Sequence, residues 1–177
     1  MSRLILDLCA GSGAWSEPYL KAGYLVRRIE LPWDVRLIEY DHVLVHGILA
    51  APPCTVFASS GARWVRTPEQ IREALSVVDA CLRAVAIYRP AWWALENPVG
   101  TLRRWLGPPT MRFDPCDYGD PYTKRTQLWG HFNLPKPAGV IPERLNRIHR
   151  MAPSPDRAAK RSITPPAFAA AFCEANP

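Results

Sequence analysis

Residues 50–57, Ala-Ala-Pro-Pro-Cys-Thr-Val-Phe, set two consecutive prolines directly after an apolar run and directly before a cysteine. Each proline removes a backbone donor and fixes φ near about −65°, so neither a helix nor an interior strand can continue through Pro52-Pro53. The run 43–51 therefore reads as a strand that must stop there and present Cys54 from a rigid, non-helical setting. A thiol held this way is either a small packed hydrophobe or a positioned nucleophile, and only about a few per cent of an unperturbed thiol is ionised at neutral pH. A nucleophilic role needs a second group nearby. The apolar run 91–95 supplies one, because it leads straight into Glu96-Asn97-Pro98 and delivers a carboxyl group at another strand end.

The first strand, 3–9, opens into Ala10-Gly11-Ser12-Gly13-Ala14, and a helix is predicted from near Ser16, with Pro18 in its first turn, to Gly23. A glycine-rich turn between a first strand and a helix lets backbone approach a nucleotide-like cofactor closely, although Gly-x-Gly alone also describes a plain turn. The next strand, 24–29, is closed by Glu30, where a ribose hydroxyl would need a carboxylate acceptor. Trp33 and Asp34 follow almost at once, which leaves room for only a short second crossover or none. Asp34 is a candidate for an adenine amino group and Trp33 for a stacking surface.

After Cys54 the segment 55–66 is polar and carries Arg63, Trp64 and Arg66, a candidate lid over a base or a nucleic-acid backbone. A plain exposed loop is the competing reading. Thr67-Pro68-Glu69-Gln70 is a capping box at a helix start, and Ile71, Leu75, Val78, Leu82 and Val85 recur at helical spacing until Pro90 forbids continuation. Cys81 lies in that apolar set and reads as packing. A short helix is predicted within 99–106, a polar basic loop leading to a strand within 117–130, and a final apolar helix over 167–175. Residues 131–161, rich in proline and arginine, read as an irregular basic arm.

Lysines and arginines number 22 against 16 aspartates and glutamates, a net charge of +6 that favours a polyanionic partner. A solvated basic face gives the same total. The five cysteines are odd in number, widely spaced and without a C-x-x-C pair, so neither a disulfide framework nor a zinc site is indicated. No apolar run approaches the roughly 20 residues of a membrane helix. The expectation is one intracellular, cytoplasmic domain over 1–177, with neither membrane nor metal among its partners.

Asp7-Leu8-Cys9-Ala10-Gly11-Ser12-Gly13, Pro52-Pro53-Cys54, Glu96-Asn97-Pro98 and Thr123-Lys124-Arg125-Thr126-Gln127 occur in the order found in cytosine-C5 DNA methyltransferases, and the chain resembles the small, phage-type members of that family. The resemblance implies a Rossmann-like class I methyltransferase fold, α/β, with a mostly parallel twisted sheet and helices on both faces. It implies S-adenosyl-L-methionine as methyl donor, held by Asp7, Cys9, Ala10, Gly11, Gly13, Glu30, Leu31, Asp34, Pro52 and Thr164. It assigns catalysis to Cys54 as the nucleophile at cytosine C6, Glu96 at N3, and Arg125 and Gln127 at the base. Arg63, Trp64, Arg66 and Lys124 are then expected on DNA. The amino-directed DNA enzymes have an aromatic residue after Pro-Pro, whereas Cys54 stands here, which favours carbon over nitrogen as methyl acceptor.

This chain departs from the family at Cys9, where Phe is usual, at Thr55, where Gln is common, and at Gln127, where the motif ends in Arg. Full-length relatives also carry a large target-recognition domain in the interval taken here by the arm at 131–161. A short arm holds few base contacts, each worth about 1–3 kcal/mol of discrimination, so a short or relaxed recognition sequence is expected, with homodimerisation as one way to extend it. The same chemistry on RNA, and a catalytically idle nucleic-acid-binding protein, are the alternatives the sequence leaves open.

Overall fold

The computed structural model describes residues 3–61, 63–139, 151–152 and 154–177. Six strands, β1 (Leu4–Leu8), β2 (Leu25–Ile29), β3 (Val45–Ala50), β4 (Trp92–Pro98), β5 (Met111–Phe113) and β6 (Thr126–His131), form one sheet in the order β2-β1-β3-β4-β6-β5. Pairs β1–β2, β1–β3 and β3–β4 are parallel, whereas β6 runs antiparallel to both β4 and β5. The expectation of a mostly parallel sheet is thus met only over β1–β4. Parallel neighbours need a long, usually helical, crossover. Between β5 and β6 there is only a 3-10 turn at Pro115–Asp117, so the chain doubles back.

Helices α1 (Glu17–Lys21), α2 (Pro68–Tyr88), α3 (Arg103–Leu106), α4 (Arg157–Ser162) and α5 (Pro166–Ala175) accompany the sheet among the described residues. Alternation along the strands sends Leu6, Ile48, Leu95 and Trp129 into one core with Val78, Cys81 and Ala84 of α2. It sends Ile5, Leu49, Ala94 and Leu128 into a second core with Tyr19 of α1 and Phe168 and Phe172 of α5. The arm read as irregular is helical over α4, and residues 140–150, with Arg144, Arg147 and Arg150, lie outside the described residues.

Local chemistry explains the boundaries. The Thr67 side chain accepts from Gln70 N and the Gln70 side chain accepts from Thr67 N, completing the capping box that starts α2. Ala80, Cys81 and Ala84 are fully buried on α2 because only small side chains let it lie close to the sheet. Gly47 in β3 is required by a neighbour, since a Cβ there would sit 2.2 Å from the Trp92 ring. The chain end is clamped by Asn176, which donates to Asn133 O at 3.0 Å and accepts from Asn133 N at 2.7 Å.

The sheet order carries the functional consequence. From β1 the chain passes to β2 on one side and then to β3 on the other, so a crevice opens beyond the carboxyl ends of β1 and β3. The glycine turn follows β1 and Pro52-Pro53-Cys54 follows β3, which puts both at this switch point.

Asp7 of β1 is buried beneath the glycine turn and accepts from Ser16 Oγ at 2.5 Å. Burial pushes its carboxyl up to about 6 from 3.8, against the opposing pull of the Ser16 hydroxyl and Arg28. A carboxyl raised in the folded chain holds its proton longer there than in the unfolded chain, so its contribution to stability falls as pH rises between those two values. The fall is of order 3 kcal/mol. Denaturant unfolding at pH 4 and pH 7 should show Asp7→Asn free of most of that decline, the variant gaining about 1–3 kcal/mol on the wild type between the two pH values.

Candidate active site

The glycine turn is built from left-handed backbone at Cys9 (φ 57°), Gly11 (φ 55°) and Gly13 (φ 70°). Cys9 is the costly member, because a side chain in that region is strained by about 1–2 kcal/mol. The turn is held from beneath by Arg28, which donates to Gly13 O at 3.0 Å, Ser16 Oγ at 2.9 Å and Glu17 at 3.0 Å. A Cβ on Gly13 would lie 2.4 Å from the Arg28 guanidinium carbon, whereas one on Gly11 would meet nothing within 4 Å. Gly11 therefore faces open space, with its N–H donated to the Glu30 carboxylate at 2.6 Å.

Cys54 and Glu96 are brought together by Asn97. The Asn97 amide, fully buried, donates to Pro52 O at 3.0 Å and so ties the end of β4 to the chain leaving β3. A second set of bonds repeats the tie: Ser59 N donates to Val99 O, and Thr101 N to Phe57 O. Gly100 is needed for that approach, since a Cβ would fall 1.9 Å from Phe57 O. After Cys54 the chain makes a tight turn in which Phe57 N and Ala58 N donate to Cys54 O.

A cavity of about 790 Å³ runs from the glycine turn to these two side chains. Cys9, Ala10 and Gly11 line it with Glu30, Leu31 and Asp34, and so do Pro52, Cys54, Glu96, Lys124 and Thr164. Its size is within the range of small-ligand pockets, about 300–1,000 Å³. Trp33, Trp64, Arg66 and Arg125 also line it, and so does Arg161 from α4.

Charge divides along the cavity. Desolvation, then the nearby Glu96 charge, push the Cys54 thiol above its ordinary value, while Lys124 and Arg161 pull it down. Desolvation likewise raises the Glu96 carboxyl, with Lys124 opposing. Burial thus shifts both groups toward their neutral forms, with Lys124 opposing the shift at each and Arg161 opposing it at the thiol. Lys124 is steadied by donating to Ile163 O at 3.3 Å.

Several residues singled out from the sequence sit elsewhere. Asp7 and Gly13 are under the turn rather than on the cavity wall, where they hold Ser16 and Arg28. Asp34 reaches the wall, but its carboxylate is gripped by Arg36, at 2.6 Å from one guanidinium nitrogen and 2.9 Å from the backbone N. Arg63 is exposed with its guanidinium 5.1 Å from the Trp64 ring centre, and it does not line the cavity. Gln127 is opposite Asn97 in the β4–β6 register while Glu96 is opposite Leu128, so the pleat sends Gln127 and Glu96 to different faces of the sheet. Arg161 was legible only as one of many basic residues, because nothing local indicates that α4 folds back over the cavity. The role of Asn97 had a weak signal, a polar side chain between an apolar strand and a proline.

Among the described residues no group of three or more His, Cys, Asp or Glu could hold a metal ion, and no helix is long and apolar enough to cross a membrane. No family model and no curated protein matches this sequence. Among solved structures the chain is similar to a protein described as a DNA modification methyltransferase encoded within an E. coli prophage, with 17% identity and a TM-score of 0.59. The match covers 86% of this chain and 56% of that one, so this chain spans little more than half the length of its structural neighbour. The comparison shows a shared mixed α/β fold.

Two measurements probe the site without any substrate. Alkylation of Cys54 by iodoacetamide should have its pH midpoint above 9.0, move higher in Lys124→Gln and move lower in Glu96→Gln, by the signs of the neighbouring charges. Asn97→Ala should leave Pro52 O unpaired and cost about 1–3 kcal/mol in denaturant unfolding. The same variant should lose the contrast in alkylation rate between Cys54 and the fully buried Cys81 only partly, since Cys81 stays in the core.

Proposed function

We propose that this protein transfers a methyl group to C5 of cytosine in DNA, through a covalent adduct between Cys54 and C6. One observation carries the reading: Cys54 and Glu96 share a cavity with an open glycine turn and its acceptor Glu30. C5 of cytosine is a poor nucleophile. Addition of the Cys54 thiolate forms a sulfur–C6 bond and moves the C5–C6 electron pair onto C5, which becomes able to attack a methyl group. Glu96, whose carboxyl desolvation raises above its ordinary value, donates from its protonated form to N3 and stabilises the charge that addition puts on the ring. Once the new C5–methyl bond exists, water takes the C5 proton, the freed electron pair re-forms the C5–C6 double bond, and the sulfur–C6 bond breaks to return Cys54 as its thiolate.

The donor in this reading is S-adenosyl-L-methionine, which supplies an electrophilic methyl on a sulfonium when bound. The residues present fit it: open space over Gly11, the Glu30 carboxylate for ribose hydroxyls, and Leu31, Pro52 and Thr164 in the lining of the same cavity. Because Asp34 is engaged by Arg36, an adenine amino group would have to share that carboxylate or use backbone. DNA is preferred to RNA as substrate because the structural neighbour is described as a DNA modification enzyme. A base must leave the duplex stack to reach such a cavity, at a cost of a few kcal/mol, about what Trp64, Arg66 and Lys124 at the rim can offset.

The test is covalent capture. A duplex carrying 5-fluorocytosine, which cannot release its C5 substituent as a proton, should form a denaturation-resistant complex with the wild-type chain and S-adenosyl-L-methionine. Cys54→Ser should abolish that complex, and Glu96→Gln should slow its formation by about 10²–10⁴-fold, the usual contribution of a positioned acid. Capture by Cys54→Ser at the wild-type rate would refute the proposal.

A further inference from the structure

A second cavity of about 390 Å³ lies beyond β6, lined by Arg103, Arg112, Arg125, Asp114, Asp117 and Gln127, among others. Its floor carries an unsatisfied group. Gln127 is 1% exposed, and its side-chain oxygen has no hydrogen-bond partner. Leaving a buried acceptor unpaired costs about 1–3 kcal/mol, so a ligand bringing an N–H donor is favoured there. The register explains the placement: Gln127 stands between Asn97 on β4 and Arg112 on β5, one row across three strands on one face.

The rim carries three arginines against two aspartates. Of the two carboxylates, Asp117 accepts from the Asp114 backbone N at 2.8 Å, and Asp114 meets Arg125 at 3.3 Å through one oxygen while its other, buried oxygen has no partner and is a second acceptor for a base N–H. Among the described residues neither Arg103 nor Arg112 has an ion-pair partner. A donor-bearing flat group at the floor and a phosphate at two free guanidiniums describe one nucleotide. The volume is at the lower end of small-ligand pockets, which suits a single nucleotide and nothing larger. Arg125 lines this cavity and the Cys54 cavity alike, so the two are neighbours along one strand of substrate.

We propose that this second cavity takes the nucleotide next to the target cytosine, its base donating to the Gln127 oxygen and its phosphate meeting Arg103 and Arg112. The assignment rests on the DNA reading given above. It makes Gln127 a residue that binds a flanking base rather than the target, and gives a chain with only a short arm one place to sense its sequence context.

The experiment is the equilibrium affinity of the full chain for a fluorescently labelled single-stranded oligonucleotide containing one cytosine, in which no base pair has to open, read by anisotropy. Removing the base, but not the phosphate, from the position on one side of the cytosine should weaken binding about tenfold, the effect of one lost hydrogen bond to a buried group. Arg112→Ala, a change at an exposed residue, should weaken binding to the intact and abasic strands to a similar degree. Gln127→Met should weaken binding to the intact strand and leave the abasic one unchanged. Equal wild-type affinity for intact and abasic strands on both sides overturns the proposal, and that result needs no mutant to fold. Loss on Arg112→Ala without any dependence on the base leaves a phosphate contact only and overturns it as well. Covalent capture on 5-fluorocytosine is a separate readout: capture without base dependence removes the pocket assignment alone, and base dependence without capture removes the transfer chemistry alone.

Discussion

The hydrogen bond from Asn97 to Pro52 O is the constraint on which the site depends. Two parallel strands fix the spacing of their backbones but not the paths of the segments that leave them. Prolines 52 and 53 remove the donors with which the chain after β3 could be held by a ladder, so a side chain from the neighbouring strand must take hold of a carbonyl instead. Asn97 is next to Glu96, and Pro52 is two residues before Cys54. One bond therefore sets the relation between a carboxyl and a thiol that are more than forty positions apart. The bonds from Ser59 to Val99 and from Thr101 to Phe57 extend the same seam, and Gly100 is the residue that permits it.

The electrostatics of the cavity follow from that arrangement. Withdrawing a carboxyl and a thiol from water raises both, and the Glu96 charge raises the thiol further. The protein answers with Lys124, from the segment before β6, and Arg161, from α4. These cations act on the thiol without forming an ion pair with Glu96 among the described residues, which leaves that carboxyl able to keep its proton. Beside the glycine turn the same cavity carries a negative group, Glu30, which accepts from Gly11 N, while Asp34 is neutralised by Arg36.

Much of the fold is legible along the chain because it depends on local rules. The capping box at Thr67, the prolines that end β3 and stop α2, and the left-handed glycines of the first turn each announce an element boundary within a few residues. The direction of β6 was not legible, because an apolar run of six residues reads the same whether it pairs parallel or antiparallel. The short β5 gave no signal at all, being three residues between a Gly-Pro-Pro turn and a 3-10 turn. Asp7, Gly13 and Asp34 show a further limit: the motifs mark them as near the turn, yet burial beneath it, or capture by Arg28 and Arg36, decides what their polar groups touch.

By itself the sequence determined the residue types and the strand ends that carry them: a thiol after two prolines, a carboxyl after an apolar strand, a glycine turn after the first. These are short-range facts, written in backbone sterics and in the two- and 3.6-residue periods. The tertiary structure alone decided which of them meet. Placing β3 beside β1 rather than beside β2 opens the crevice, folding α4 back brings Arg161 to the thiol, and the pleat of β6 turns Gln127 away from Glu96 into a cavity of its own. Those outcomes depend on pairing between distant segments, where a shift of one residue reverses every side chain, and no local pattern records it.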